Sequence, residues 1–326
     1  MNVTAPPATG VRTLWQQLPA HVRAELEDAL GAAVVDAVTQ HGGFSPGVAA
    51  RVRLADGRRA FVKAVSAEAN PGSPRMHRAE ARNAAALPDS VPAPRLLASC
   101  DDGTWVALAF EDVDGRQPEV PWRAGEFGRV LEAVDALARV PVPASMDVPS
   151  VVEAVSGNFR GWERLVEQGA GDDVRLDPWV RRNLPDLAEL AAPGGDFAVG
   201  DILAHGDLRA DNMLLTADEG RVVLVDWPHA LRAAPWFDLL LMLPCVRAQG
   251  GPDPEDVFTE QRVGRAADPR GVTAALAGLA GYFVGQSLQP APPGLPTLRA
   301  FQGAQGAAAV EWLRRRLATR RGPALP

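Results

Sequence analysis

The stretch ILAHGDLRADNMLLTADEGRVVLVD, residues 202–226, decides how this chain folds and where its chemistry lies. Its second half has the pattern of a two-stranded hairpin, with Ala217 to Gly220 as the turn. In that register Asn212 lies opposite Val225, so Asn212 and Asp226 become diagonal neighbours about 7 Å apart. Mg²⁺ takes oxygen ligands from one or two protein groups together with phosphate and water. A carboxamide and a carboxylate that converge in this way predict a site for a magnesium-bound nucleotide.

Asp207 lies on the loop that enters this hairpin, where its carboxylate can take a proton from a hydroxyl group. The alternative is that Asp207 and Asn212 are turn residues bonded to their own backbone, which is the commonest use of such side chains in loops. His-Gly-Asp is followed in order by four residues, an Asn, two strands and a final Asp. A pattern of this length favours the catalytic interpretation.

The same stretch resembles the catalytic segment of the aminoglycoside phosphotransferase and choline-kinase-like family, distant relatives of the protein kinases. Residues 205–212, His-Gly-Asp-Leu-Arg-Ala-Asp-Asn, are similar to its catalytic loop, and Val225-Asp226-Trp227 to its metal-binding Ile-Asp-Trp segment. The resemblance implies a phosphotransferase with Asp207 as the catalytic base, Asn212 and Asp226 as ligands of Mg²⁺, and ATP or GTP as the phosphate donor. The chain departs from the family at Arg209, where the family often has histidine.

Two other residues near this stretch are interpreted as structural. His205 is expected to brace the catalytic loop and not to act as an acid or base. Asp238 either caps a buried helix or, as the resemblance implies, supports the catalytic loop.

Lys63, the only lysine among 33 basic residues, indicates the phosphate-binding part of the site. It shares one face of a predicted strand with Phe61 and Val65, so its ammonium group faces an apolar side and needs a partner. The next helix carries Glu80 on its inward stripe, beside Met76, Ala84 and Leu87. A Lys–Glu pair between the third strand and the following helix is how kinases hold a lysine onto the α- and β-phosphates. The alternative is an edge-strand lysine beside a solvated glutamate.

Residues 42–48, Gly-Gly-Phe-Ser-Pro-Gly-Val, form a glycine-rich turn between the first two predicted strands. By itself such a turn is most simply an ordinary hairpin. In this position it resembles the nucleotide-covering loop of the family, in which backbone N–H groups approach phosphate. The resemblance implies phosphate contacts by Gly43, Phe44 and Ser45.

The segment from Glu111 to Val113 matches the hinge that hydrogen-bonds the purine through its backbone, so its side chains do not separate ATP from GTP. The strand pattern breaks between Glu111 and Gly115. We therefore expect residues 1–113 to form a nucleotide-binding lobe and residues 114–326 to form the catalytic and acceptor-binding lobe.

Hydrophobic periodicity, together with the resemblance, predicts a bilobal protein-kinase-like fold of the α+β class. The smaller lobe is predicted to be an antiparallel five-stranded sheet with one principal helix. Its elements are helices over Pro19 to Leu30 and Ser73 to Leu87, and strands over Val34 to Gln40, Val48 to Leu54, Arg59 to Val65, Leu96 to Ser99 and Trp105 to Phe110. In the larger lobe, helices are predicted over Glu126 to Arg139, Val151 to Glu167, Pro178 to Ala192, Gly271 to Gly285 and Gln305 to Ala318. The first ten residues, rich in Pro and Ala, are expected to be disordered.

The composition limits the possible partners. A net charge of −7 argues against a nucleic-acid partner or an anionic membrane surface, which need clustered basic residues, and mildly favours a cationic substrate. No apolar run reaches the roughly 18 residues of a membrane-spanning helix, and no signal peptide is recognisable, so we expect a cytoplasmic protein. Cys100 and Cys245 lie far apart and are expected to be buried thiols.

The sequence leaves the small-molecule acceptor open between an antibiotic, with a role in resistance, and a metabolic alcohol. Acidic stretches at Asp172-Asp173 and Asp253 to Glu260 could meet a polycationic antibiotic, or they could be ordinary surface loops. Eight tryptophans leave room for stacking on a ring-bearing acceptor, although most are expected in the core. The protein is expected to be a monomer or a homodimer.

Two other classes of protein are disfavoured. A nucleotide-binding regulatory protein without turnover would not need the complete set of four residues Lys63, Asp207, Asn212 and Asp226. A protein kinase would have a long activation segment ending in Ala-Pro-Glu, whereas this chain passes from Asp226 to Pro235-Trp236 within nine residues.

Overall fold

An antiparallel five-stranded sheet forms the first part of the chain in the computed structural model, which describes residues 4–68, 70–217 and 220–320. Its strands are β1 Val34–Thr39, β2 Val48–Leu54, β3 Arg59–Ser66, β4 Leu96–Asp101 and β5 Trp105–Glu111, in the order β1-β2-β3-β5-β4. The predicted sheet is confirmed. Lys63 lies on the central strand, paired with Ala49 on one side and Leu108 on the other, so the edge-strand alternative is wrong.

Two helices pack on this sheet, α1 Ala20–Leu30 and α2 Ser73–Ala86, both close to their predicted bounds. Pro74 lies in the first turn of α2, where its missing N–H group costs no hydrogen bond. Along its later turns, α2 buries His77, Glu80 and Asn83, whereas the predicted stripe through Met76 and Ala84 is only half buried. The helix therefore presents several polar side chains to the rest of the molecule.

The remainder of the described chain is mainly helical. Its helices are α3 Ala124–Leu137, α4 Val151–Val155, α5 Gly161–Glu167, α6 Pro178–Arg182, α7 Leu184–Ala191, α8 Gly194–Phe197, α9 Phe237–Ala248, α10 Pro254–Glu260, α11 Arg262–Ala266, α12 Pro269–Ser287 and α13 Leu298–Arg320. Short strands pair in the orders β6-β8-β9 and β10-β7: β6 Gly115–Arg116, β7 Ile202–Ala204, β8 Met213–Thr216, β9 Val222–Leu224 and β10 Leu231–Ala233. A large apolar core lies among the helices, and both cysteines are free and buried, as predicted. No helix within the described ranges is long and apolar enough to cross a membrane.

Two long helices of the prediction are each divided in the structure. After Val155 the chain turns, so that Gly161 packs directly on α12; a side-chain carbon at Gly161 would lie 2.1 Å from the Gly281 carbonyl oxygen. The second break lies at Asn183, between α6 and α7. Pro185 accounts for it, because a proline inside a continuous helix lacks an N–H donor and its ring clashes with an earlier carbonyl.

Residues 4–13 form a strap that joins the glycine-rich loop to the helical part of the chain. Ala5 N–H donates to the Ala248 carbonyl, and Val11 N–H to the Gly294 carbonyl, each at 2.9 Å. On the loop side, Gly43 N–H donates to the strap at 3.1 Å. The expected disorder is therefore wrong for residues 4–10, and residues 1–3 lie outside the described part of the chain.

Candidate active site

Lys63 forms the centre of a cluster of three ionisable side chains. Its Nζ donates to Oε1 of Glu80 at 2.6 Å and to Oδ1 of Asp226 at 2.8 Å. The predicted Lys63–Glu80 pair is confirmed, and its two side chains are only 14% and 4% exposed. Burial favours loss of the lysine proton, but the two carboxylates outweigh this effect and raise the pKa of Lys63 above its ordinary value. The ammonium group is therefore charged and fixed in place.

Asp226 has a backbone conformation that few residues adopt. Its φ is 70°, and no other described residue apart from glycine has a positive φ. Aspartate tolerates this left-handed region better than most side chains. The turn is held by Val225 N–H, which donates to the Asn212 carbonyl at 3.0 Å, and by Nδ2 of Asn83, which donates to the Trp227 carbonyl at 2.8 Å. Burial opposes ionisation of Asp226, but the neighbouring ammonium group lowers its pKa below the usual range.

The hairpin that carries Asn212 has the predicted register. Met213 pairs with Leu224, and the register continues to Asn212 and Val225. Within the predicted turn, residues 218–219 lie outside the described part of the chain. The two predicted metal ligands therefore lie at the same end of the hairpin.

Each predicted metal ligand keeps an oxygen that has no partner among the described residues. Nδ2 of Asn212 donates to the carbonyl oxygen of Asp207 at 2.8 Å, and because a carbonyl only accepts, this bond leaves Oδ1 of Asn212 as the free atom. Lys63 occupies Oδ1 of Asp226, and no described residue donates to Asp226 Oδ2. Across the described ranges no cluster of three or more His, Cys, Asp or Glu side chains could hold a metal. Two protein ligands supplemented by phosphate and water suit Mg²⁺, so the donor set fits that ion.

Arg209 joins the two aspartates of the predicted catalytic loop. Its Nη1 lies 2.5 Å from both carboxylate oxygens of Asp207, and its Nε and Nη2 donate to Asp211 at 3.0 Å. Burial raises the pKa of Asp207, and the charge of Arg209 counteracts this effect. A carboxylate offers about four acceptor positions, and the Asp207 side chain remains 27% exposed. The departure from the family pattern at Arg209 therefore acts on the predicted base itself.

His205 and Asp238 hold the backbone that carries Asp207. The carboxylate of Asp238 accepts from the N–H groups of His205 at 2.7 Å and of Gly206 at 2.9 Å. The buried ring of His205 donates from Nε2 to the Val225 carbonyl at 3.0 Å and accepts at Nδ1 from Asp207 N–H at 3.3 Å. Burial lowers the pKa of His205 to about 4, and this pair of bonds requires the neutral ring. Both residues have the bracing positions that the sequence predicted.

The glycine-rich loop spans the two parts of the molecule. Gly47 has a φ of 93°, and a side-chain carbon there would lie 2.4 Å from the Ala64 carbonyl oxygen, so only glycine fits. The Phe44 ring reaches the helical part, 5.5 Å from the guanidinium group of Arg209 and 4.9 Å from the ring of Phe301. The loop is thus closed over the residues of the predicted catalytic loop.

Arg12, on the strap, supports the glycine-rich loop from its other side. Its guanidinium group donates to the carbonyl oxygens of Gly42 and Ser45. Its Nε is buried without a hydrogen-bond partner among the described residues. Burial lowers the pKa of Arg12, and the charge of Asp226 acts in the opposite direction. A second cation therefore lies beside the ion cluster, in a segment for which the sequence predicted no structure.

Two cavities meet beside the glycine-rich loop and the ion cluster around Lys63. The first, of 460 Å³, is lined by all seven predicted nucleotide contacts, Gly43, Phe44, Ser45, Lys63, Glu80, Glu111 and Val113, and by both predicted metal ligands. The second, of 350 Å³, is lined by Asp207 and Arg209. Phe44, Ser45, Glu80 and Asp226 line both cavities. The predicted base and the predicted phosphate-binding groups therefore face a common boundary.

The predicted hinge borders the first cavity. Glu111 and Val113 both line it, and the Glu111 side chain pairs with Arg95. The carbonyl of Val113 accepts from Nη2 of Arg51 at 3.1 Å. No described residue accepts a hydrogen bond from the Val113 N–H group, which leaves a backbone donor at the position where the resemblance implies one.

Two residues of this site, Asn83 and Arg12, were not predicted from the sequence. Asn83 could have been found, because it follows Glu80 by three positions and so shares a helix face with it. Arg12 had no such signal, since no periodic pattern links the strap to the glycine-rich loop.

Comparisons with known proteins agree with this architecture. The model of the family described as "Phosphotransferase enzyme family" (APH) matches residues 38–282. No curated protein sequence matches the chain significantly. A thermostable mutant of the aminoglycoside phosphotransferase APH(4)-Ia, in complex with ADP and hygromycin B, is 14% identical with a TM-score of 0.58, and the alignment covers 94% of this chain and 100% of that one. The choline kinase LicA from Streptococcus pneumoniae is 12% identical with a TM-score of 0.55, over 92% of this chain and 98% of that one. At such identities the likeness shows the fold, and the predicted kinase-like α+β architecture is confirmed.

Proposed function

The chain belongs to the phosphotransferase enzyme family, and on that premise we propose that it is a kinase that moves the γ-phosphate of ATP or GTP onto a hydroxyl group of a small acceptor. The observation that carries the proposal is the position of Asp226 between the two cavities. One cavity holds Lys63 and Asn212, and the other holds Asp207. A phosphate donor in the first and a hydroxyl group in the second would meet at this boundary.

The transfer follows from the roles of a few side chains. Asp207 accepts the hydroxyl proton and orients the acceptor, whose oxygen attacks the γ-phosphorus in line with the bond to the β-phosphate. As the new P–O bond forms, that bond breaks, and its electron pair stays on the nucleoside diphosphate. Lys63, fixed by Glu80, offsets negative charge on the α- and β-phosphates. No covalent intermediate on the protein is needed.

The remaining predicted residues bind the donor. Asn212 and Asp226 would hold Mg²⁺ through their free oxygens, and the ion, when bound, supplies positive charge beside the phosphates. The backbone of Gly43, Phe44 and Ser45 covers the phosphates. Glu111 and Val113 hold the purine through their backbone, which leaves ATP and GTP as equivalent candidates.

Two similar structures support the proposal of a kinase with a small acceptor. One was solved with ADP and hygromycin B, and another is a choline kinase. We also propose that residues 1–113 form the nucleotide-binding lobe and residues 114–326 the catalytic lobe, because β5 ends at Glu111 and α3 begins at Ala124. A cytoplasmic location and a monomeric or homodimeric state remain part of the proposal, and light scattering after gel filtration tests the latter.

The test is magnesium-dependent transfer of labelled γ-phosphate to a panel of antibiotics and small alcohols, with ATP and GTP as separate donors. We expect labelled product with at least one acceptor, and none when the metal is chelated. Nucleotide binding without transfer to any acceptor or to water would favour the regulatory protein without turnover.

A further inference from the structure

Two uncharged polar side chains on the two longest helices lie in the wall of the second cavity. Tyr282 belongs to α12 and Gln302 to α13, and both line the cavity that Asp207 also lines. Gln302 is only 7% exposed. Buried polar groups in proteins are nearly always hydrogen-bonded, because an unmade hydrogen bond costs free energy. The hydrogen bonds that these two side chains can still make therefore indicate what the cavity binds.

The orientation of the Gln302 amide is fixed by Arg299. Nη1 of Arg299 donates to Oε1 of Gln302 at 2.8 Å, and because a guanidinium group only donates, the amide nitrogen points away from it. Arg299 is held in turn by Oε1 of Gln286 at 2.6 Å and by the Pro290 carbonyl at 3.1 Å. No described residue accepts from Nε2 of Gln302, and protein atoms do not enclose this nitrogen. Its two N–H groups are therefore open to the cavity.

The hydroxyl group of Tyr282 is the second polar group that faces this space. Burial raises the pKa of Tyr282, the carboxylate of Asp207 raises it further, and the guanidinium groups of Arg299 and Arg209 lower it. The hydroxyl group is therefore neutral and lies within electrostatic range of both Asp207 and Arg299. Nothing in the described part of the chain is hydrogen-bonded to it, and it too is open to the cavity.

The other uncharged amides of the wall do not share this arrangement. Gln305 is hydrogen-bonded to the Cys245 thiol, and Asn158 is exposed to bulk solvent. A positive charge on the acceptor is compatible with the wall, because Lys63 and Arg209 each share their charge between two carboxylates. Tyr282 and Gln302 therefore concern the oxygens of the acceptor and not its charge.

We propose that Tyr282 and Gln302 bind a second oxygen of the acceptor, so that the acceptor is a polyhydroxylated or ether-bearing molecule and not a simple alcohol. The inference rests on the proposed function, because it takes the second cavity as the acceptor site. The Gln302 amide nitrogen only donates, so it needs a hydroxyl, ether or carbonyl oxygen, whereas the Tyr282 hydroxyl group can donate or accept. A site built in this way rejects an analogue without that oxygen, because its own polar groups are then left unpaired.

Four probes separate the oxygen content of the acceptor from its charge. Cyclohexanol and methyl glucoside form a neutral pair, and choline and hygromycin B form a cationic pair; the first member of each pair has a single oxygen. With the unmodified full chain and Mg-ATP, we expect kcat/KM for the oxygen-rich member to be about tenfold higher or more in each pair that shows transfer. A simple alcohol used as efficiently as the oxygen-rich probe of the same charge, or no use of either oxygen-rich probe, would overturn the inference.

Two variants test the residues themselves with the oxygen-rich probe that is phosphorylated. Tyr282→Phe removes only the hydroxyl group, and Gln302→Leu removes the amide; each should raise KM about five- to tenfold and change kcat less than about twofold. Gln286→Leu is the matched control, because Gln286 also accepts from Nη1 of Arg299 but does not line the cavity. It should leave KM within about twofold of the unmodified value.

A structural role of these residues would give a different result. If Gln286→Leu raises KM as much as Gln302→Leu does, the effect comes from the hold on Arg299, and the inference is wrong. Unchanged KM in Tyr282→Phe and Gln302→Leu contradicts it as well, and so does an equal rise in KM for the simple alcohol.

Failure of the inference is distinguishable from failure of the proposed function. Magnesium-dependent nucleotide binding by calorimetry, and slow nucleotide hydrolysis without acceptor, depend on the first cavity and not on the acceptor. If the unmodified chain shows both while it uses neither oxygen-rich probe, only the inference about the acceptor is wrong. If both are absent, the kinase proposal is wrong too.

Discussion

Nη1 of Arg209 lies 2.5 Å from both carboxylate oxygens of Asp207, so the proposed base carries a permanent cationic partner. Burial raises the pKa of Asp207 and the guanidinium group lowers it, while His229, Asp211 and Asp226 are the other charged or titratable groups that act on it. Because the base must be ionised, the rate of transfer falls as the pH drops through this pKa. Arg209→Gln removes the lowering effect, so we expect the acidic limb of the kcat/KM profile to move to higher pH by about one unit or more.

The measurement is the pH dependence of kcat/KM for the acceptor found in the panel. Arg209→Lys keeps a positive charge and should shift the limb less than Arg209→Gln does. If the rate falls in both variants while the limb keeps its position, Arg209 shapes the loop without acting on the pKa of Asp207.

Asp207→Asn separates proton transfer from nucleotide binding. The amide keeps the shape of the side chain and removes the base, and Arg209 retains Asp211 as a partner. Phosphoryl transfer should therefore fall by roughly 10²- to 10⁴-fold. The affinity for the magnesium-bound nucleotide should hardly change, as measured by calorimetric titration. Loss of nucleotide binding in this variant would contradict the proposed role.

Asp226→Asn should fail in a different way, because this carboxylate is proposed to hold the metal. Asparagine tolerates the left-handed backbone at φ 70°, so the turn is kept, and Lys63 retains Glu80 as a partner. We expect magnesium no longer to strengthen nucleotide binding, and turnover to fall as well. Calorimetric titrations with and without Mg²⁺ measure the effect. A variant in which magnesium acts as in the unmodified protein would show that Asp226 is not a metal ligand.

The sequence could predict the parts of this site that depend on local pattern. The register of the hairpin brings Asn212 and Asp226 together, and alternation along one strand directs Lys63 inward. Contacts between segments far apart in the sequence leave no periodic pattern from which they could be predicted. Arg12 reaches the glycine-rich loop through the course of the strap, and the division of α4 from α5 depends on the packing of Gly161 against α12. Periodicity describes one element at a time, so it cannot foresee which backbone approaches another.

Lys63 and Glu80 should be strongly coupled in stability. Removing one partner of a buried ion pair leaves an uncompensated charge, so Lys63→Met or Glu80→Gln alone is expected to cost about 3–5 kcal/mol. The double variant should lose less free energy of unfolding than the sum of the losses in the two single variants. Urea unfolding should give a coupling energy of about 0.5–3 kcal/mol. Arg78 and Asp101, an exposed pair that also involves α2, provide the control, and Arg78→Gln with Asp101→Asn should show a clearly smaller coupling because solvent screens both charges. If the two pairs had equal coupling energies, burial of Lys63 and Glu80 would not strengthen the interaction between them.

Arg12 should contribute to nucleotide binding although it lies outside the part of the chain that matches the family. Arg12 lines the first cavity, and its guanidinium group donates to the carbonyl oxygens of Gly42 and Ser45, so Arg12→Ala should weaken the affinity for the magnesium-bound nucleotide about tenfold or more. Arg53→Ala, which removes an exposed arginine from β2, should leave the affinity unchanged.

Gly10→Ala distinguishes bracing of the glycine-rich loop by Arg12 from direct contact of Arg12 with phosphate. Its new side-chain carbon would lie 2.9 Å from the Ser45 carbonyl oxygen and would displace the strap while Arg12 remains. Weaker binding in both strap variants indicates that Arg12 acts by bracing the loop, and weaker binding in Arg12→Ala alone indicates contact with phosphate. Calorimetric titration decides between them, and unchanged affinity in Arg12→Ala would mean that the strap has no part in the nucleotide site.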